Sequence, residues 1–138
     1  MRKLIKIQKE IKDQLKECTN FWLTNGIDKV NGGVYTCLDR TGKIYSTDKS
    51  VWMQGRCAWT FAYLCSLYGV DESWLKESES CLDFLEKYCI NRENGRMYFT
   101  VTGDGKPTEP STKGSTFKGP FHLPRMLATV DKIIDELI

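Results

Sequence analysis

The chain contains a single histidine, His122, and this residue is the first candidate for chemistry. A histidine changes its charge near neutral pH, so it can give or take a proton. His122 lies between Pro120 and Pro124, which restrict the backbone around it, at the start of a predicted helix. The cations Lys118 and Arg125 favour the neutral imidazole, which is the form that a general base needs. The pattern predicts a general base, and a capping or core histidine fits it about as well.

A second candidate set lies on one face of a predicted helix. It consists of four residues at steps of four, three and four positions: Trp52, Arg56, Trp59 and Tyr63. Aromatic rings cover the apolar C–H face of a sugar, and a guanidinium group donates hydrogen bonds to sugar oxygens. The set therefore indicates a sugar site. The alternative is that the rings belong to the core and that Arg56 reaches solvent or pairs with an acid.

Helical periodicity predicts the elements that would position these residues. Four helices are expected, at about residues 4–22, 51–68, 72–88 and 124–137. The second is apolar on most sides, which is typical of an inner helix. Ser50 and Asp71 are candidate N-caps of the second and third helices.

Two β-hairpins are predicted, one with its turn at residues 39–42 and one within residues 95–106, and residues 102–119 are predicted to be a long loop. The two segments echo each other at one constant offset. The repeated set is Gly32, Tyr35, Gly42 and Lys43, which recurs as Gly95, Tyr98, Gly105 and Lys106. Such echoes mark similar structural units. The unit here would be a helical pair whose ends are bridged by a short hairpin.

Composition excludes several classes of function. Twenty basic and 18 acidic residues leave a net charge of +2, which is too balanced for a dedicated nucleic-acid binder. No run approaches the roughly 18 apolar residues of a membrane span, and the N-terminus lacks a signal-peptide core. The six cysteines form no Cys-x-x-Cys pair, which favours buried free thiols in a reducing, cytoplasmic location. This spacing predicts no zinc or other metal site.

Three separated segments closely resemble the N-acylglucosamine 2-epimerase family, in the family's own order. They are residues 35–43, 51–56 and 117–125. The wider superfamily includes cellobiose 2-epimerases and aldose–ketose isomerases. The resemblance implies an all-α fold, the (α/α)6 barrel, in which six helical hairpins form a closed ring around the sugar. We therefore expect a partial barrel of about four helices with short β-hairpin connections.

The resemblance also implies a reaction, the interconversion of N-acetylglucosamine and N-acetylmannosamine. One histidine takes the C2 proton of the opened sugar, an enediol-like intermediate forms, and a second histidine returns a proton to the opposite face. By motif position, His122 matches a catalytic histidine, and Arg56 matches an inner-helix arginine that contacts sugar oxygens. Trp52, one turn before Arg56, is the second expected substrate-binding residue. No cofactor or metal is implied, although a nucleotide is an effector in some members.

The chain departs from the family pattern in its middle. Residues 1–101 resemble the family's beginning and residues 104–138 its end, so we expect a single incomplete domain. The missing middle would hold the second catalytic histidine and the acidic residues near the sugar. We therefore expect an impaired epimerase, or alternatively an inactive sugar-binding remnant or a helical interaction module. Inner helices without their neighbours would expose apolar surface, which predicts either a monomer of limited stability or self-association as a homo-oligomer.

Overall fold

The computed structural model describes residues 1–108, together with Arg125, Ala128 and Lys132, which are helical. The described part contains three α-helices: α1 (Arg2–Asn25), α2 (Val51–Tyr68) and α3 (Glu72–Phe84). A π-helical turn, Leu85–Cys89, continues α3. Six short strands complete it: β1 (Cys37–Leu38), β2 (Ile44–Ser46), β3 (Lys49–Ser50), β4 (Ile90–Asn91), β5 (Arg96–Met97) and β6 (Thr100–Val101). The first three predicted helices are confirmed, and most of the fourth lies outside the described residues.

Helices α2 and α3 pack against each other as a helical hairpin with a short connection. Helix α2 ends at Gly69, whose φ of +93° is a conformation that glycine adopts readily. Helix α3 begins after Asp71, whose carboxylate accepts hydrogen bonds from the N–H groups of Ser73 and Trp74. This is the capping geometry that the sequence predicts for Asp71.

The start of α2 differs from the expectation. Ser50 occupies the N-cap position, but its side chain makes no capping hydrogen bond. Ser50 instead belongs to β3, which pairs antiparallel with β6 and leads directly into the helix. The first helical N–H, that of Val51, donates to the carbonyl of Phe99 at 3.0 Å. Strand pairing therefore takes over the role that was predicted for the serine hydroxyl.

The internal echo in the sequence corresponds to two units with the same backbone hydrogen bonds. Four N–H···O=C bonds of the first unit recur in the second, all between 2.7 and 3.0 Å. In the first unit they run from Gly32 to Asp28, Tyr35 to Gly26, Asp39 to Lys43 and Gly42 to Asp39. In the second they run from Gly95 to Asn91, Tyr98 to Cys89, Thr102 to Lys106 and Gly105 to Thr102. The predicted repeat is confirmed.

The core lies where α2, α3 and the two hairpin units meet. One cluster contains Val51, Phe84, Cys89 and Val101. A second contains Val34, Ala58 and Cys81, with Trp22 of α1 packed against it. The apolar stripe of α1 is open at its beginning, because Leu4, Ile7 and Ile11 are exposed. Within the described residues, no helix combines the length and apolarity needed to cross a membrane.

Candidate functional site

Two of the three predicted site residues lie together on α2. The Arg56 guanidinium carbon is 3.9 Å from the centre of the Trp52 ring, which is close enough for a cation–π interaction. Both side chains are exposed. The third predicted residue, His122, lies outside the described residues.

The other two members of the set extend the same face of α2. The Trp59 and Tyr63 rings are stacked, with centroids 4.8 Å apart and an interplanar angle of 13°. Trp59 is 64% exposed and Tyr63 is 45% exposed, so the alternative that these rings belong to the core is wrong. The core side of α2 is formed by other residues: Gln54, Ala58, Phe61 and Leu64. We refer to Trp52, Arg56, Trp59 and Tyr63 as the α2 aromatic face.

A buried lysine is the charged centre of the described fold. Lys49 is fully buried, and its Nζ lies 2.6 Å from Oδ2 of Asp28 and 2.7 Å from the carbonyl oxygen of Gly32. The ammonium group is also 4.1 Å from the centre of the Phe84 ring. The third N–H of the Lys49 ammonium group donates to the carbonyl oxygen of Gly103 at 3.3 Å. With its donors satisfied, this centre holds the two hairpin units together.

Electrostatics keep that centre ionised. Burial alone raises the pKa of Asp28, but hydrogen bonds from Lys49 and Tyr35 outweigh it and hold the pKa well below its usual range. Burial, followed by the hydrogen bond to Asp28, raises the pKa of Tyr35 to about 12. Asp28 therefore stays negative and Tyr35 stays neutral at physiological pH. The sequence gives no sign of this centre, because a lysine beside a hairpin is usually solvated.

A thiol–carboxyl cluster lies between α2 and α3, formed by Cys57, Glu77 and Cys81. One sulfur or oxygen atom from each residue lies within 4.8 Å of the others. The Cys81 thiol donates to Oε1 of Glu77 at 3.6 Å. Burial raises the pKa of Glu77 to about 7. A hydrogen bond with Cys57, followed by burial, raises the pKa of the Cys81 thiol.

Sequence spacing did not anticipate this cluster, because the helical hairpin brings together residues that are distant in the chain. All six cysteines are free thiols, as expected. Burial is confirmed for Cys81 and Cys89 but is wrong for Cys18, which is exposed. Cys18 lies on α1, where Thr19 is the one buried residue.

Comparison with known proteins identifies the family. Residues 33–116 match the family described as N-acylglucosamine 2-epimerase (GlcNAc 2-epimerase). The chain belongs to this family. Similar proteins include the N-acylglucosamine 2-epimerases of Mus musculus, 32% identical over 108 residues, and Homo sapiens, 31% identical over 108 residues. Each alignment covers 74% of the chain but 25% of the relative, so the chain spans about a quarter of these family members.

Solved structures of related epimerases agree with this family fold. Cellobiose 2-epimerase from Spirochaeta thermophila is similar with a TM-score of 0.68 and 25% identity, over 78% of the chain and 26% of that structure. Cellobiose 2-epimerase from Bacillus thermoamylovorans gives a TM-score of 0.65 at 22% identity, over 78% and 27%. The fold is therefore a partial (α/α)6 barrel, as the sequence predicts.

Proposed function

We propose that the chain is an N-acylglucosamine 2-epimerase-like isomerase that interconverts N-acetylglucosamine and N-acetylmannosamine by proton transfer at C2, with impaired turnover. The supporting observation is the Arg56 guanidinium carbon 3.9 Å from the centre of the Trp52 ring, on an exposed face of α2 in a chain of this family. In this proposal the substrate is an amino sugar, and neither a nucleic-acid partner nor a cofactor takes part.

The chemistry of the α2 aromatic face suits this substrate. Trp52 would cover the C–H face of the sugar, while Arg56 donates to its oxygens. When the C2 proton leaves, negative charge develops on the neighbouring carbonyl oxygen, and a guanidinium group stabilises that charge. In this proposal His122 takes the proton as general base.

Inversion at C2 requires a proton on the opposite face of the intermediate. The chain has one histidine, so it supplies one of the two histidines that the family's proton transfer is expected to use. His122 alone can remove the C2 proton and return one from the same side. The expected behaviour is therefore exchange of the C2 hydrogen with little product. This single histidine also favours the second candidate function, a sugar-binding remnant without turnover.

Isotope exchange in deuterated water tests the proposal. The chain is incubated with N-acetylmannosamine, and C2 deuterium and N-acetylglucosamine are followed by NMR and mass spectrometry. We expect C2 deuterium in excess of product, and none with His122→Asn. Sugar binding without exchange would favour the remnant, and neither binding nor exchange would favour the helical interaction module.

A substitution at Arg56 separates sugar recognition from folding. Arg56→Lys keeps the charge but loses the planar fork, and hydrogen bonds to charged groups contribute about 1.5–3 kcal/mol. We expect sugar affinity, measured by titration of tryptophan fluorescence, to fall about 10- to 100-fold. Arg40→Lys, in the exposed β1–β2 turn, is the matched control and should bind normally. Equal affinities for the two variants would contradict a role for Arg56.

The same proposal includes the domain organisation and the location. Residues 1–101 and 104–138 would be the two ends of an epimerase domain joined without its middle. Sequencing the surrounding locus tests this, because a continuous longer reading frame would contradict a deletion.

A cytoplasmic location is supported by the six free thiols.

Self-association is expected from the open side of α2. Trp59, Leu67 and Tyr68 are each more than half exposed, and apolar surface of this kind favours association between copies. We expect concentration-dependent homo-oligomers in sedimentation velocity, shifted toward monomer by Trp59→Arg. Tyr45→Arg is the control, because Tyr45 is exposed on β2. Monomers at every concentration, or an equal shift with the control, would refute this expectation.

A further inference from the structure

We propose that Cys57, Glu77 and Cys81 form a binding site for a soft divalent metal ion. Zn²⁺ is the metal that the site would bind, and Cd²⁺ is a chemically similar ion that serves as its spectroscopic probe. The site is separate from the α2 aromatic face and does not depend on the proposed epimerase activity. Its three groups come from the α2–α3 hairpin, which lies entirely within the described residues.

The backbone presents the three groups to one point. Glu77 and Cys81 are four residues apart on α3, so they lie on the same face, one turn from each other. Cys57 faces them from α2. At the same level the Ser78 hydroxyl donates to the Ala58 carbonyl oxygen at 2.8 Å, and both groups are buried. This cross-helix bond fixes the spacing of the helices directly beside the cluster.

The distances fit coordination by zinc after a small movement. The three candidate ligand atoms lie within 4.8 Å of one another. In a tetrahedral site with Zn–S bonds of about 2.3 Å, the two sulfur atoms would be about 3.8 Å apart. The two sulfur atoms therefore need to approach each other by about 1 Å at most to reach this spacing.

The chemistry of the donor set selects the metal. Two thiolates and one carboxylate suit a borderline-soft ion such as Zn²⁺ and do not suit Mg²⁺ or Ca²⁺, which prefer oxygen ligands. Binding replaces the two thiol protons and the proton of any protonated Glu77, all of which are released to solvent, while the metal keeps its oxidation state. A fourth position would be taken by water, and half-buried Cys57 marks the side that solvent can reach.

The buried position of the Glu77 carboxyl group also supports a metal at this site. Glu77 is 4% exposed, and no ion pair within residues 1–108 includes it. The hydrogen bond that it receives from Cys81 is long and comes from a weak donor. A buried carboxyl that stays ionised normally pairs with a cation or binds a metal. The charges of Lys49 and Lys76 act on this carboxyl without forming an ion pair with it, so the metal would be its direct cationic partner.

Metal titration of the reduced chain tests the site. After treatment with a chelator and its removal, Cd²⁺ is added, and the ultraviolet thiolate-to-metal charge-transfer band is followed. Competition with a chromophoric chelator gives the Zn²⁺ affinity. We expect one equivalent of metal, a higher melting temperature with Zn²⁺, and at least about tenfold weaker binding in Cys57→Ser and in Glu77→Gln.

The controls distinguish a built site from scattered thiols. Cys65→Ser, also on α2, and Cys18→Ser, on α1, should bind metal as the wild type does. Glu77→Gln keeps the side-chain shape and removes its ionisable group, so its circular dichroism should be unchanged even where Cys57→Ser is less stable. No charge-transfer band, or equal affinities for Glu77→Gln and Cys65→Ser, would overturn the proposal. Bound Zn²⁺ should slow the air oxidation of Cys57 and Cys81 to a disulfide. An oxidation rate that is unchanged by Zn²⁺ would also overturn the proposal.

Discussion

Replacement of Lys49 by methionine is expected to lower the free energy of unfolding by about 3–5 kcal/mol. Methionine keeps most of the aliphatic stem, so the change removes mainly the buried charge. Asp28 would then be a buried carboxylate whose lysine partner, 2.6 Å away in the native chain, is gone. The Gly32 and Gly103 carbonyls would lose a donor in the same step. Urea unfolding followed by circular dichroism measures the loss.

The double variant separates charge from packing. With Asp28→Asn added to Lys49→Met, both charges are absent, while the amide oxygen can still accept from the N–H groups of Val30 and Asn31. We expect the double variant to be more stable than Lys49→Met alone, because breaking a buried ion pair costs more than removing it. A double variant that is less stable than Lys49→Met would contradict this explanation. Lys43→Met, at an exposed turn position, should change stability by about 0.5 kcal/mol at most.

Acid should weaken the same centre in the unmodified chain. The pKa of Asp28 is lower in the folded than in the unfolded state. Its stabilising contribution is therefore complete above the usual carboxyl pKa and is lost as the pH falls below it toward the folded value. The Lys49→Met variant should show a smaller acid dependence, because the hydrogen bond from Lys49, the largest of those that lower the pKa of Asp28, is gone.

Local spacing accounts for what the sequence predicts well. Steps of three and four residues place Trp52, Arg56 and Trp59 on one helix face, and this holds wherever the helix packs. Gly69 ends one helix and Asp71 caps the next through contacts within one helical turn, so both roles can be predicted from the local sequence. The repeated hairpin is predictable for the same reason, because its hydrogen bonds join residues fewer than ten positions apart.

Contacts between distant residues account for what the sequence does not predict. Lys49 contacts Asp28 and Gly103, which are 21 and 54 positions away in the sequence, and no local sequence pattern predicts these contacts. Cys57 and Cys81 come together because the α2–α3 hairpin closes. The apolar composition of α2 predicts an inner helix but cannot tell which of its sides is covered. The role of His122 remains a prediction, since it lies beyond the described part of the chain.

Replacement of Gln54 by leucine is the second change with a large expected effect. Gln54 is fully buried; its Oε1 accepts from the N–H of Val34 at 2.8 Å and its Nε2 donates to the Val34 carbonyl at 2.7 Å. Leucine of similar volume would leave both backbone groups buried without a partner, at about 1–3 kcal/mol each. We expect urea unfolding to show a loss of about 2–6 kcal/mol, whereas Gln14→Leu, exposed on α1, should be nearly neutral.

The variant Gln54→Glu tests whether hydrogen bonding causes the effect. An ionised glutamate side chain at this position can accept from the Val34 N–H but cannot donate to the Val34 carbonyl, and a protonated one can do both. Burial favours the protonated form, so the folded-state pKa of the introduced carboxyl should be raised. The stability of Gln54→Glu relative to the wild type should then be highest at low pH and fall as the pH rises through that value. Gln54→Leu has no group to titrate here, so its deficit should stay constant. Parallel pH profiles for the two variants would mean that lost packing, and not the paired hydrogen bonds to Val34, explains the loss.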